Sequence, residues 1–228
     1  MSLRNFWIPV AFAGELQADK PYPFQLFGEP LVLFRDSVGA AHCLADYCPH
    51  RGAPLSLGDV DGNTLRCKYH GWRIGGAGAC STLPSLDDPT AAGRRAAVPS
   101  YPMREAGGVL WVWPGDPARA GDREPPVPAP PADRDGPFAE VNSSVDIASH
   151  FSQVMANLVD PAHVPFLHVD SLAAYANLKE HKMRFERIEE LPDGTLVSKA
   201  RYVDDGVDEH TPTYNHTVYS PFVANDCY

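Results

Sequence analysis

The sequence has no run of lysine or arginine. Nineteen basic residues stand against 29 acidic ones, for a formal net charge of −10. A nucleic-acid surface needs clustered positive charge, so this balance argues against that class of partner. An acidic surface suits a basic redox partner, although acidity is too common to establish one. Long apolar runs are also missing. No segment approaches the ~20 residues that cross a bilayer, and the opening stretch M-S-L-R-N-F-W-I-P-V carries no apolar leader core or cleavage signature. Cysteine is scarce: five residues, at 43, 48, 67, 80 and 227. So few, so scattered, exclude a disulfide scaffold and point to a reducing compartment. The expectation is a soluble, cytoplasmic chain without a transmembrane segment. The glycine-rich Gly75-Gly76-Ala77-Gly78 lacks a following Lys-Ser/Thr, so it reads as a turn rather than a phosphate loop. No internal repeat is visible.

What is present is concentrated between Cys48 and His70. C-P-H-R-G carries Cys48 and His50, and C-K-Y-H-G-W carries Cys67 and His70, with 16 residues between His50 and Cys67. Turn formers flank each pair: Pro49 and Gly52 in the first, Gly71 in the second. Two thiols and two imidazoles on short loops make a metal site. Zinc takes Cys2His2 tetrahedrally, but its patterns usually pair like with like along the chain. A Rieske [2Fe–2S] centre has two Cys on one iron and two His on the other. If each loop spans both irons, each must supply one of each type, and the mixed order fits that arrangement better than it fits zinc.

The run C-P-H-R-G-A-P-L-S-L-G followed by C-K-Y-H-G-W resembles the Rieske box of the Rieske non-haem iron oxygenases. Electron-carrier Rieske proteins add a disulfide beside the cluster, and the corresponding positions here are Ala53 and Tyr69. The resemblance therefore implies the oxygenase type, with a reduction potential near the low end of the Rieske range, about −150 mV.

Read in order, residues 1–30 form short strands broken by prolines at 9, 21, 23 and 30. Leu31 to Arg35 and Ala40 to Ala45 pair through the turn 36–39 and deliver the chain to Cys48. Val60-Asp61-Gly62-Asn63 is a further turn, and Thr64-Leu65-Arg66 is a strand ending at Cys67. Both ligand loops are thus expected at hairpin tips. Trp72 and Ile74 read equally as a lid over the cluster and as plain core. Trp111 and Trp113, in an apolar strand from Val109, read as core. From 117 to 137 seven prolines stand among charges, which predicts a stiff, extended connection. The expected organisation is a mostly β Rieske domain of small antiparallel sheets over 1–117 and a Pro-rich linker over 118–137. Residues 138–228 would then be the N-terminal part of an α+β, helix-grip-like catalytic domain, incomplete as it stands. In that second part a strand is expected from Phe138 to Ile147, a helix from Ser149 to Leu158, and a hairpin of Lys182–Glu190 with Thr195–Val203. One more strand is expected near Tyr214 to Ser220.

Asp160, His163 and His168 form a second constellation. On a helix Asp160 and His163 lie about 60° apart, whereas His168 swings about 140° from His163 unless Pro165 breaks the helix. Two His and a carboxylate with open positions is the facial triad of non-haem Fe(II) enzymes. Taken alone, the residues read better as a capping Asp before Pro161 with two ordinary histidines. The stretch N-L-V-D-P-A-H-V-P-F-L-H resembles the mononuclear iron motif of the same oxygenases, in wording closest to the pheophorbide a oxygenase and phthalate or vanillate branches. The start of the chain resembles the vanillate demethylase oxygenase component.

The resemblance implies that His163 and His168 ligate a catalytic Fe(II). It implies that Asp160 links His70 of one subunit to His163 of the next, in a homotrimer. A reductase, sometimes with a ferredoxin, would supply electrons from NAD(P)H, and O2 would hydroxylate or O-demethylate an aromatic or related ring substrate. The family's third ligand, a carboxylate on a later helix, has no match: Asp170, Glu180, Glu186, Asp204 and Asp208 lack its context, and the chain stops at Tyr228. Weak iron retention at the second site is the expectation. His42, His150, His181, His210 and His216 share no spacing and read as surface or satisfied core residues. Three other readings stand beside the oxygenase: a Rieske-type electron carrier, an inactive oxygenase fragment, and a zinc-bound structural module.

Overall fold

The computed structural model describes residues 3–84, 96–127, 143–158, 160–168 and 170, together with the backbone of four later strands. The chain divides into two compact units, Met1–Arg134 and Asp135–Tyr228.

The first unit holds eleven short strands among its described residues: β1 Ile8–Phe12, β2 Tyr22–Leu26, β3 Glu29–Arg35, β4 Ala41–Ala45, β5 Asp59–Asp61, β6 Thr64–Arg66, β7 Arg73–Gly75, β8 Cys80–Thr82, β9 Ser100–Tyr101, β10 Met103–Ala106 and β11 Val109–Val112. They make three small antiparallel sheets, ordered β1-β11-β10, β2-β3-β4-β9 and β5-β6-β7-β8. The β2–β3 hairpin turns on Phe27 and Gly28, both with positive φ, as a two-residue mirror-image turn requires.

The middle sheet is the wall on which the unit is built. Leu31, Val32, Leu33 and Phe34 of β3 are all fully buried, on both faces. Strand alternation sends Val32 and Phe34, with Leu44 of β4, into a core shared with Leu55, Leu65, Ile74, Val98, Cys48 and Cys67. Leu31, Leu33 and Cys43 face a second core with Leu16, Leu110 and Val112. The candidate metal ligands therefore sit on the first of two cores divided by one sheet.

Trp111 and Trp113 are buried, as expected of core tryptophans. The connection expected to be extended begins differently. Pro117–Asp122 is a 3-10 turn capped by the Asp116 carboxylate, and Ala120 within it is buried. The Arg123 guanidinium lies over the Phe6 ring, Glu124 pairs with Arg104, and Trp7 Nε1–H donates to the Arg123 carbonyl. Residues 117–127 thus belong to the first unit, because charge and aromatic contacts outweigh the stiffness of their prolines. Residues 128–137 of the expected linker lie outside the described residues.

In the second unit, 143–147 form no strand, and 138–142 lie outside the described residues. Helix α1 runs Phe151–Leu158, two residues shorter at its start than expected. A 3-10 turn, Pro161–His163, leads directly into a short helix, α2 Val164–Leu167. The hairpin appears as β12 Lys182–Glu190 with β13 Leu196–Val203, followed by β14 Thr213–Tyr219 and an unexpected β15 Phe222–Cys227. These four form one antiparallel sheet in chain order.

Candidate metal centre

The two ligand loops are built on the same turn. In the first, Cys48 N–H donates to the Ala53 carbonyl at 2.7 Å, and Gly52 N–H donates back to the Cys48 carbonyl at 2.8 Å. In the second, Cys67 N–H donates to the Trp72 carbonyl at 2.8 Å, and Gly71 N–H donates to the Cys67 carbonyl at 2.9 Å. Gly52 and Gly71 have φ of 71° and 72°, the left-handed region that a side chain resists. Each cysteine therefore spends its own backbone groups on a closed turn that aims its histidine, two or three residues later, across the top.

The second loop is the tip of the β6–β7 hairpin, as expected. The first is not a hairpin tip: it leaves β4 of the middle sheet and enters β5 of the next. A carboxylate closes it instead. Asp46 accepts the Ser56 N–H at 2.7 Å and the Ser56 hydroxyl at 2.6 Å. No pattern in the sequence announces that clasp beyond an Asp two residues before the first ligand.

The loops bring Cys48, His50, Cys67 and His70 together. Both cysteines are buried in one apolar cluster, near enough for Cys67 to raise the Cys48 thiol pKa. The two imidazoles stand edge to face, centroids 4.6 Å apart. Burial pushes the Cys48 thiol up to about 11, against the N–H groups of His50 and Arg51, which stabilise its thiolate. Burial, with His70 and Arg51 beside it, holds His50 below the usual histidine range, so its imidazole is neutral and ready to ligate. His50 Nδ1 is enclosed and has no hydrogen-bond partner among the described residues, which is the state of a ring nitrogen reserved for a metal. Among the described residues no three His, Cys, Asp or Glu side chains converge on a single ion. A thiol pair and an imidazole pair divide naturally between two irons. The residues fit a [2Fe–2S] cluster, which Cys48 and Cys67 would hold by one iron and His50 and His70 by the other.

Around the site, Trp72 stacks flat on His50, and Tyr69 leans on His70 with centroids 3.9 Å apart. Ile74 is plain core. Ala53, Pro54, Leu57, Lys68 and Tyr69 line an open groove of about 300 Å³ beside the loops. His70 is exposed, so one imidazole faces the surface. Cys43 and Cys80 are buried free thiols. His42 bonds the Asp36 carboxylate at 2.8 Å, and His150 Nδ1 meets the Ser152 hydroxyl at 2.8 Å, the satisfied roles expected of them.

At the second constellation, His163 and His168 stand with ring centroids 5.3 Å apart. The expected reason, a helix broken at Pro165, does not hold. Pro165 is the second residue of α2, where a proline costs no hydrogen bond, and the change from a 3-10 to an α turn at His163 brings the rings together. Asp160 caps the turn, accepting the Ala162 N–H at 3.1 Å, while its backbone carbonyl takes the His163 Nδ1–H. That bond leaves Nε2 as the nitrogen of His163 with a lone pair to offer. Asp170 is described but joins no such cluster, and the other downstream carboxylates lie where side chains are outside the described residues.

A profile described as the Rieske [2Fe–2S] domain matches residues 6–102. Chlorophyllide a oxygenase of Chlamydomonas reinhardtii is 42% identical over 171 residues, covering 75% of this chain and 25% of that protein. A 4beta-methylsterol monooxygenase of Methylococcus capsulatus is 36% identical, covering 72% of this chain and 44% of its own length. The 5,5'-dehydrodivanillate O-demethylase oxygenase subunit of a Sphingobium species is 32% identical over 74% of this chain and 39% of its own. Among solved structures, NdmB of Pseudomonas putida CBB5 superposes with a TM-score of 0.77 at 26% identity, covering 99% of this chain and 65% of that one.

The thiol and imidazole pairs on twin loops define a Rieske-type iron–sulfur protein. More particularly, residues 6–102 belong to the Rieske [2Fe–2S] domain family, and the chain is a homologue of the Rieske oxygenases. It spans 25% to 44% of the length of these curated relatives. Among the described residues no helix is long and apolar enough to cross a membrane. The relatives include chloroplastic proteins, so kinship does not single out the cytoplasm.

Proposed function

We propose that this chain serves the oxygenase component of a Rieske non-haem iron oxygenase. One observation carries the reading: Cys48, His50, Cys67 and His70 converge as a buried thiol pair and an imidazole pair, with His50 Nδ1 enclosed and unpaired among the described residues. When bound there, the cluster supplies single electrons. His163 and His168 are the protein's nitrogen donors to a mononuclear Fe(II), the ion at which such enzymes activate O2. His163 Nδ1–H, held by the Asp160 carbonyl, fixes the tautomer that presents Nε2. Asp160 keeps one carboxylate oxygen on the Ala162 N–H, and its other oxygen is our candidate to accept from His70 of a neighbouring subunit in a trimer.

The substrate class we propose is an aromatic or related ring compound, hydroxylated or O-demethylated. That class is supported by relatives whose names refer to chlorophyllide, a methylsterol and dehydrodivanillate. A reductase, with or without a ferredoxin, is the proposed electron donor. The cytoplasm is our reading of the compartment, from the sparse cysteines. Residues 138–228 are proposed as part of a helix-grip-like catalytic domain, with 1–117 the Rieske domain and 118–137 the nominal connection.

The alternative is an electron carrier, favoured by the fact that all four cluster ligands lie within the first unit. Anaerobic reconstitution followed by single turnover separates the two. The chain, reduced and mixed with O2 and methoxy- or hydroxybenzoates, yields product if the oxygenase reading holds. Reoxidation without any product supports the carrier. A colourless reconstituted protein sinks both and returns the site to zinc.

A further inference from the structure

Trp72 is half-buried, yet its Nε1 is shut away from solvent and has no hydrogen-bond partner among the described residues. The other tryptophans differ: Trp7, Trp111 and Trp113 donate to the carbonyls of Arg123, Ala106 and Asp116. An indole N–H only donates, and when enclosed it ordinarily finds an acceptor. The same ring lies parallel to His50, centroids 4.6 Å apart and planes 3° from each other. Its backbone carbonyl meanwhile closes the Cys67 turn. Trp72 is thus anchored in the second loop and pressed against the histidine of the first, packed on the core that holds Cys48 and Cys67.

We propose that Trp72 is a positioning residue for the cluster: its indole sets the plane of the His50 imidazole, and its Nε1–H donates to a sulfur of the bound cluster. The inference rests on reading Cys48, His50, Cys67 and His70 as the ligands. An enclosed donor, packed on the core that holds Cys48 and Cys67 and without an acceptor among the described residues, is placed to donate to sulfur that arrives with the metal. A hydrogen bond to sulfur stabilises the more negative, reduced form and raises the potential.

Trp72→Phe keeps an aromatic ring on His50 and deletes the donor, whereas Trp72→Leu deletes both. Each full-length variant is reconstituted anaerobically. Iron, sulfide and the visible spectrum report loading, and the midpoint potential is read by voltammetry at fixed pH. The Phe variant is expected to load like the parent and to be harder to reduce, its equilibrium constant falling as much as tenfold, which is about 59 mV for one electron. The Leu variant is expected to show that shift and, in addition, altered EPR g values of the reduced cluster. An unchanged potential in the Phe variant overturns the donation, and unchanged g values in the Leu variant overturn the positioning. If a variant holds no cluster, the parent protein labelled with 15N-indole tryptophan decides: coupling of the label to the reduced cluster in pulsed EPR supports the hydrogen bond, and no coupling overturns it. A parent chain that assembles no cluster overturns the ligand reading and this inference with it, so the two failures are distinguishable.

Discussion

Asp46 and Ser56, ten residues apart, are joined by two hydrogen bonds, from the serine N–H at 2.7 Å and its hydroxyl at 2.6 Å. This clasp ties the two ends of the first ligand loop, which no hairpin does. Ser56→Ala removes one bond and is expected to cost about 0.5–1.5 kcal/mol; Asp46→Ala also strands the Ser56 N–H and is expected to cost about 1–3 kcal/mol. Urea unfolding gives the stabilities, and cluster loss to a chelator should accelerate in the same order.

Gly58 sits at the end of that loop, and a Cβ on it would lie 2.1 Å from the carbonyl oxygen of Arg66, the residue before Cys67. Backbone cannot swing aside as a side chain can. Gly58→Ala is therefore expected to push the ligand loops apart, destabilising the protein by about 1–3 kcal/mol and lowering cluster content measured as iron and sulfide per chain.

Asp36 is buried at the turn between β3 and β4, and its hydrogen bond from His42, helped by the Val38 and Ala40 N–H groups, holds its carboxyl below the usual range. A depressed folded pKa means that the unfolded chain takes up the proton first as pH falls. The stabilisation is thus complete above the ordinary carboxyl value of about 3.9 and is lost as pH drops through the lower folded value. Asp36→Asn should flatten the acid side of a stability profile measured between pH 2 and 6, and an unflattened profile would refute the assignment.

Removing the metal should leave the first unit folded. Cys48 and Cys67 belong to a core of nine buried residues, and burial keeps the Cys48 thiol neutral at pH 7, with its pKa at about 11. A neutral thiol suits that core. Far-UV circular dichroism of the chelator-stripped chain is expected to match the loaded protein, unlike small zinc modules that unfold without their ion.

His163→Ala is expected to lower bound iron by up to one per chain while leaving the cluster's visible spectrum unchanged. Its ring centroid lies 5.3 Å from that of His168, and neither residue is among the four proposed cluster ligands. Iron analysis beside the spectrum checks this. A loss of visible colour would mean that the two sites are not separable.

The four candidate ligands that the loops bring together were legible as a set because the chemistry lies in their order: a Cys and a His in each loop. The hairpin below Cys67 was legible from Thr64-Leu65-Arg66 and Gly71. The path of the first loop was not, because β4 and β5 pair in different sheets and alternation along a strand does not name its partner. The Asp46–Ser56 clasp was invisible for the same reason, being a contact made by the fold. The meeting of His163 and His168 was expected through the wrong device, since a uniform helical swing cannot describe a 3-10 turn running into an α turn. The prolines of 117–127 concealed a packed segment, because composition does not record that Ala120 and Trp7 have neighbours to bury against. β15 exists through its pairing with β14, which its own weakly patterned residues do not signal.

The matched turns 48–53 and 67–72 have a consequence for engineering. Each closes two backbone hydrogen bonds within six residues, and the first is held in addition by the Asp46–Ser56 clasp outside it. The transplantable unit is therefore the pair of hexapeptides together with the Asp46–Ser56 clasp, and a recipient scaffold must present four chain ends at the right spacing above an apolar floor.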